Sequence, residues 1–147
     1  MRLVLPVVLV ACLLVPAAPA SARASAEVQM VRKANSFRKR HGLRPVRISR
    51  SLMRSSEGYA WHQMRNGFFG HSSRIHASGR FRRLGEILEY HGGTRARIRQ
   101  AFRSWLHSPG HRAIIMDRGF RYVGAGRASG RFRGGRATIW VMHFGSR

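Results

Sequence analysis

A histidine follows a helix-breaking Pro-Gly pair in the segment WLHSPGHRAII, residues 105–115. An imidazole can act as a general acid or base near neutral pH, or it can ligate a metal ion. Without partners, His111 on this turn would be an ordinary surface histidine. The strongest single-helix arrangement of partners, H-E-x-x-H, does not occur in the sequence. Any partners of His111 must therefore come from other segments of the chain.

Serine nucleophiles are the other chemistry to consider. Ser72 and Ser73 lack the nearby acid–histidine pairing that activates a hydroxyl group. Ser108 is better explained as the N-cap of the turn that carries His111, with Pro109 at the first helical position. These patterns do not favour a serine hydrolase.

Helices must position these side chains. Residues 27–41 are helical by the spacing of their apolar residues, and Gly42 provides a stop. A second helix runs through LMRSSEGYAWHQMRN, is capped by Ser49 or Ser51, and ends at Gly67. A third helix, which Thr94 caps, has an apolar stripe that must pack on a core: Ile98, Ala101, Phe102, Trp105 and Leu106.

The C-terminal part of the chain has strand patterns instead. RYVGAGRA and RATIWVMHFG flank the turn-rich SGRFRGG and predict an antiparallel hairpin. Both faces of the last strand are largely apolar, so we expect it to be central and covered on both sides. EILEY is a further short strand. These patterns predict an α+β fold with helices on both faces of a small, mostly antiparallel sheet.

Charge suggests the kind of partner. The chain has 147 residues, the size of one domain, and a formal net charge of +23. Such a field attracts polyanions, including cell-wall polymers and anionic lipid headgroups. The basic residues are nearly all arginine and are spread along the chain, which a solvated surface and Arg-favouring codons also explain. No nucleic-acid motif is present, so specific nucleic-acid binding is not predicted.

The N-terminus reads as a leader. The segment MRLVLPVVLVACLLVPAAPASARASA has a basic start, a short apolar run and then small residues. This order is typical of a secretory signal peptide. The apolar run is too short to span a membrane. We predict a signal peptide at 1–26, one domain at 27–147 and a location outside the cell or in its envelope. The segment LVAC, which ends at Cys12, resembles a bacterial lipoprotein cleavage site, so a lipoprotein is the minor alternative. Cys12 is the only cysteine, so the mature domain has no disulfide.

An ordered set of motifs covers nearly the whole mature chain, from about residue 28 to residue 145. The motifs are HGLRPVRISRSL, GFFGHSS, GEIL, WLHSPGHRAIIM, GFRYVGAG and a closing FG. Together they resemble the CAP superfamily of cysteine-rich secretory, antigen 5 and pathogenesis-related proteins, in its short bacterial secreted, SCP-like branch. The resemblance implies a three-layer α-β-α sandwich, in agreement with the helix and strand patterns.

The resemblance also implies a groove lined by His71 of GFFGHSS, Glu86 of GEIL and His111 of SPGHR. Two imidazoles and one carboxylate match the ligand count of catalytic zinc sites, so zinc or another divalent metal is a candidate cofactor. The alternative is a metal-free polar cluster in which Glu86 orients the imidazoles. The chain departs from the family at Ser108, where many members have a second glutamate, and at Ile87, where asparagine is usual.

Five other histidines have plainer explanations. His62 and His107 are predicted at helix surfaces or ends, and His76 and His91 in polar loops without a specific role. His143 lies in the last strand, where core packing is favoured and contact with the groove cluster is the alternative.

Three functions fit these observations. In the first, which we favour because the acidic set is incomplete, a secreted domain binds a lipid, sterol or cell-wall fragment in the groove without turnover. In the second, a metal-assisted hydrolase uses the same groove. In the third, a cationic protein binds anionic polymers of the envelope, with an affinity that falls as salt rises.

Overall fold

The computed structural model describes residues 24–147. Cys12 and nearly all of the predicted signal peptide lie outside these residues, so the leader and the domain boundary stay predictions. The elements follow the order α1 (Ala26–Arg40), β1 (Arg47–Ile48), α2 (Arg50–Asn66), β2 (Arg83–Gly92), α3 (Ile98–His107), α4 (Pro109–Met116), β3 (Tyr122–Phe132) and β4 (Gly135–Ser146). No helix within residues 24–147 has the length and apolar character needed to cross a membrane.

Within the described residues, four strands form one mixed sheet in the order β1-β3-β4-β2. The strands β3 and β4 form the predicted antiparallel hairpin, and β4 also pairs antiparallel with β2. The short β1, which the sequence patterns did not indicate, pairs parallel with β3. Strand β4 is buried from Ala137 to Gly145, which confirms that it is central and covered on both faces.

Helices cover both faces of this sheet. Helices α1, α3 and α4 pack on one face, where the core includes Phe102, Trp105, Ile115, Trp140 and Phe144. Helix α2 packs on the other face, where the core includes Ala60, Met64, Leu88, Ile139 and Val141. The α-β-α sandwich is therefore confirmed.

Helix α2 lies unusually close to β3. A Cβ atom at Gly124 would overlap the helix backbone at Leu52, and one at Gly126 would overlap the helix backbone at Glu57. Two residues without side chains thus let the helix backbone rest directly on the strand. The hydroxyl of Ser56 donates to the Gly124 carbonyl at 3.1 Å and accepts from the His143 backbone N–H at 3.1 Å. One helix residue therefore bridges two neighbouring strands.

The start of α3 differs from the sequence prediction. Thr94 does not cap the helix, which begins at Ile98. In the segment just before it, the Ala96 carbonyl accepts a hydrogen bond from the Trp140 indole at 2.8 Å. Because this carbonyl accepts a hydrogen bond from a side chain of the sheet, the segment is held against β4. The helix therefore begins further along the chain. Further along α3, the Trp105 indole donates to the Leu88 carbonyl of β2 at 2.8 Å.

His91 was wrongly assigned to a polar loop. Strand β2 extends to Gly92, and His91 is buried in it. One ring nitrogen lies 2.9 Å from Oε2 of Glu89, and the other lies 2.9 Å from the carbonyl oxygen of Arg95. Burial raises the pKa of Glu89, and the hydrogen bond with His91 offsets this only in part. The pair joins the end of β2 to the segment that leads into α3.

Because α2 packs so closely on β3, a single methyl group added at a contact glycine of β3 should destabilise the fold. We expect Gly126→Ala to lower the free energy of unfolding by about 1–3 kcal/mol, because the new Cβ would push the helix off the sheet. The measurement is urea denaturation.

Gly130→Ala is the matched control, because the same strand has only ordinary contacts with the Met64 side chain there, at 3.8 and 4.0 Å. We expect this control to change the free energy of unfolding by less than about 0.5 kcal/mol. Equal stability of the two variants would contradict the close approach.

Candidate functional site

A cross-strand pair lies at the centre of the site. Glu86 on β2 is directly opposite His143 on β4, and both side chains face α2. His143 Nε2 donates to Glu86 Oε2 at 2.8 Å. Glu86 is 7% exposed and His143 is 1% exposed, so the pair is shielded from bulk water.

The loop after α2 supplies two more donors to the same carboxylate. His71 Nδ1 lies 2.9 Å from Glu86 Oε1, and the backbone N–H of Ser72 donates to the same oxygen at 2.8 Å. The loop is held in place by Tyr59, whose hydroxyl donates to the Gly70 carbonyl at 2.8 Å. Burial, and then the negative charge of Glu86, raise the pKa of Tyr59, which keeps this donor protonated.

Glu86 is held in its ionised form. Burial by itself would raise the pKa of the carboxyl group, but hydrogen bonds from His143, from the Ser72 backbone and from His71 outweigh burial and lower the pKa below its usual value. An ionised carboxylate only accepts hydrogen bonds. His143 must therefore carry its proton on Nε2, and His71 must carry one on Nδ1.

The other nitrogen of His143 faces helix α2. Its Nδ1 lies 2.5 Å from the hydroxyl oxygen of Ser55. With the ring in its neutral form and the proton on Nε2, Nδ1 accepts and the Ser55 hydroxyl donates. A continuous series of hydrogen bonds thus runs from Ser55 through His143 and Glu86 to His71.

His111 lies at the edge of this series. It is the third residue of α4, and its ring centroid is 6.1 Å from that of His71. Burial, and then the nearby charge of His71, lower the pKa of His111, so this ring is neutral at neutral pH. Of the three predicted site residues, the structure joins His71 and Glu86 directly, and His111 is adjacent to His71.

A cavity of about 680 Å³ opens above this cluster, between α2 and residues 68–76. We call it the groove. Its walls combine aromatic and apolar side chains (Tyr59, Phe68 and Ile75) with two guanidinium groups (Arg54 and Arg74). A volume of this size accommodates a small-molecule ligand.

The histidines differ in their relation to the groove. His71 and His143 line it, and so do His62 and His76, for which the sequence suggested no specific role. Glu86 lies beneath the groove, behind His71 and His143.

The candidate zinc site requires His71, Glu86 and His111 to converge on one point. Both oxygens of Glu86 already accept N–H donors. Within residues 24–147, no three side chains of His, Cys, Asp or Glu are arranged to hold a metal ion. These residues therefore fit a hydrogen-bonded cluster better than a three-ligand metal site. Zinc stays a prediction, and no step below depends on a metal.

The sequence analysis missed Ser55, and it favoured core packing for His143. His143 is buried, as core packing requires, but it also belongs to the cluster. The available signal was position: Ser55 directly precedes the inward-facing Ser56 on α2, and His143 is on the same strand face as Ala137, Ile139 and Val141. Pairing the two required the docking of α2 on the sheet, which periodicity does not provide.

Comparison with known proteins identifies the family of this fold. Residues 31–144 match the profile of CAP, the cysteine-rich secretory protein family. The chain belongs to the CAP family. This CAP chain is 25% identical over 133 residues to an uncharacterized protein of Bacillus subtilis, YkwD. The match covers 86% of this chain and 49% of YkwD, so the chain spans about half the length of that relative.

Solved structures share the CAP fold. An outer surface protein of Borrelia burgdorferi superposes with a TM-score of 0.66 at 20% identity, covering 82% of this chain and 91% of that chain. An extracellular protein from Bacillus anthracis that contains an SCP domain superposes with a TM-score of 0.65 at 19% identity, covering 83% of this chain and 40% of that chain. At these identities the likeness shows the fold alone. The resemblance read from the motifs is confirmed.

The hydrogen bonds of Glu86 predict a pH-dependent stability. Because folding lowers its pKa, the carboxylate stabilises the folded state above its usual unfolded-state pKa, about 4.3, and this contribution is lost as the pH falls through the lowered folded-state pKa. We expect Glu86→Gln to lower the free energy of unfolding by about 1–3 kcal/mol at pH 7. The difference from the wild type should shrink below about pH 4.

Chemical denaturation at a series of pH values tests this expectation. Glu57→Gln is the control, because Glu57 is exposed on α2, and its effect should stay within about 0.5 kcal/mol. A Glu86→Gln effect that is the same at pH 7 and pH 3 would contradict the assignment of an ionised Glu86.

Proposed function

We propose that this CAP protein acts outside the cytoplasm and binds an amphipathic ligand, a lipid or an acylated cell-wall fragment, in the groove. The observation that carries the proposal is the composition of the groove. Tyr59, Phe68 and Ile75 offer an apolar surface to a hydrocarbon chain, and Arg54 and Arg74 offer positive charge to an anionic headgroup. Ligand sites commonly combine apolar walls with a few polar groups that orient the ligand.

A location outside the cytoplasm is supported by two independent features. The N-terminal sequence has the order of regions typical of a secretory signal peptide. The CAP proteins of similar fold include one described as extracellular and one described as an outer surface protein. Lipids and wall fragments are the amphipathic molecules available in that compartment.

Two adjacent phenylalanines allow a matched test of the groove. Phe68 lines it, whereas Phe69 is 38% exposed and its ring is 5.8 Å from that of Tyr90. We expect Phe68→Asp to weaken binding of a long-chain fatty acid by about tenfold or more, because a charge would face the hydrocarbon chain. Phe69→Asp should leave binding unchanged.

Isothermal titration calorimetry with a long-chain fatty acid and with its lysophospholipid measures both variants against the wild type. Absence of binding to the wild type, or equal loss in the two variants, would contradict an amphipathic ligand in the groove.

A second candidate function rests on a different surface. A cleft of about 850 Å³ lies between α1 and residues 96–100, on the opposite face of the sheet from the groove. Its lining includes five cations and no carboxylate: Arg32, Lys33, Arg40, Arg97 and Arg99. We propose that this basic cleft binds a phosphate-bearing polymer of the envelope. The five cations place part of the chain's formal net charge of +23 at one site, where it attracts polyanions.

Salt dependence tests the basic cleft. We expect Arg32→Gln/Arg99→Gln to weaken binding of inorganic polyphosphate and to reduce the slope of log affinity against log salt by up to roughly 2, since each cation releases about one counterion. Arg118→Gln/Arg136→Gln removes the same charge outside the cleft.

Fluorescence anisotropy with labelled polyphosphate at several salt concentrations gives both slopes. If the two double variants weaken binding equally, the total charge of the chain accounts for the binding and the basic cleft has no special part in it.

A further inference from the structure

We propose that Ser55 is a nucleophile toward an ester held in the groove, with His143 as its general base and Glu86 as the residue that positions His143. The ester would be an acyl ester, because the groove walls suit a hydrocarbon chain. The inference rests on the proposed function, since the ester must first bind in the groove.

The geometry supplies the three parts of an activated serine. The Ser55 hydroxyl lies 2.5 Å from His143 Nδ1, and His143 Nε2 lies 2.8 Å from Glu86 Oε2. A general base needs a free nitrogen at the hydroxyl and an N–H held by a carboxylate on the opposite side of the ring. Both conditions are met here, although the two ring nitrogens have exchanged the roles they have in the best-known serine proteases.

The three residues also differ in exposure in the way that catalysis requires. Ser55 is partly exposed and lines the groove, so a bound ester can reach its hydroxyl. His143 and Glu86 are buried beneath it, at 1% and 7% exposure, where water does not compete for the proton. Arg54 and Arg74 line the same groove, and we infer that their positive charge would stabilise the oxyanion of the intermediate.

A purely structural role does not explain this hydroxyl well. Its neighbour Ser56 already fastens α2 to the sheet, through hydrogen bonds with the Gly124 carbonyl and the His143 backbone N–H. The Ser55 hydroxyl bonds to the imidazole instead of the backbone, and it does so at the wall of the groove.

The reaction is balanced with water as co-reactant. Ser55 Oγ bonds to the ester carbonyl carbon while its proton passes to His143 Nδ1. The tetrahedral intermediate collapses, the bond to the alcohol oxygen breaks, and His143 returns the proton to that oxygen. Water then attacks the acyl-serine with His143 again taking and returning a proton, which releases the carboxylic acid and restores Ser55.

A short fluorophosphonate, which needs no lipid site, tests the nucleophile directly in the full-length protein. We expect one equivalent to add to the wild type, as measured by intact mass, and peptide mapping to place it on Ser55. Ser55→Ala should not be labelled. Ser104→Ala is the matched control, because Ser104 is exposed on α3 away from the groove, and its labelling should equal that of the wild type.

Two further variants separate positioning from folding. We expect His143→Gln to slow labelling by about 10²-fold or more, as for loss of a general base. Glu86→Gln should lower the maximal rate of labelling while leaving the half-saturating probe concentration unchanged, a split that general loss of structure would not produce. Ser55→Ala removes a single oxygen atom, so it tests the nucleophile even if these two variants fold poorly.

The outcomes distinguish this inference from the proposed function. Lipid binding by the wild type without labelling, or labelling that persists in Ser55→Ala, would overturn the nucleophile and leave the binding proposal intact. Labelling of Ser55 in a protein that binds no lipid would support the nucleophile and overturn the proposed ligand. Hydrolysis of a fatty-acyl p-nitrophenyl ester that depends on both Ser55 and Phe68 would support the two together.

Discussion

The close contact of α2 with β3 is the constraint on which the site depends. At Gly124 and Gly126 the helix backbone lies where side chains would otherwise be. This contact brings the Ser56 hydroxyl within reach of backbone groups on two strands, and it brings Ser55 to the ring of His143. A helix packed at the usual distance from the sheet would leave the hydroxyl too far from the imidazole for a hydrogen bond. Gly124 and Gly126 therefore belong to the site even though neither contributes a side chain.

Charge is arranged in two separate ways around the sheet. On the α2 face, Glu86 is one of only five acidic residues against 28 basic ones, and it is buried where three N–H donors converge on it. On the α1 face, exposed arginines gather at a cleft without a carboxylate in its lining. A single buried anion can orient the imidazoles around it, whereas the exposed cations act over longer distances on large anions. The two faces thus match the two different partners proposed for them: a small ligand and a polymer.

Local sequence patterns predicted the helices and strands well. Most differences between those predictions and the structure arise from pairing between residues that are far apart in the chain. Burial of apolar side chains leaves a periodic pattern in the sequence. This pattern predicted the helix over residues 27–41 and the two buried faces of β4. Motifs likewise indicated His71 and Glu86, which do contact each other. The partners of His143 follow from strand register and helix docking, which connect residues 57 and 88 positions apart. The two-residue β1 and the late start of α3 depend in the same way on bonds to distant parts of the sheet.

The Trp105 indole, which donates to the Leu88 carbonyl, also bears on how the protein behaves among other copies of itself. Strand β2 is at the end of the strand order, and edge strands with free backbone groups invite pairing with the strands of other molecules. The hydrogen bond from the indole N–H to the Leu88 carbonyl removes one of the acceptors that an incoming strand would need. A domain with no cysteine in residues 24–147 has no disulfide to protect it and must avoid aggregation by such means. The tryptophan therefore protects solubility as well as filling the core.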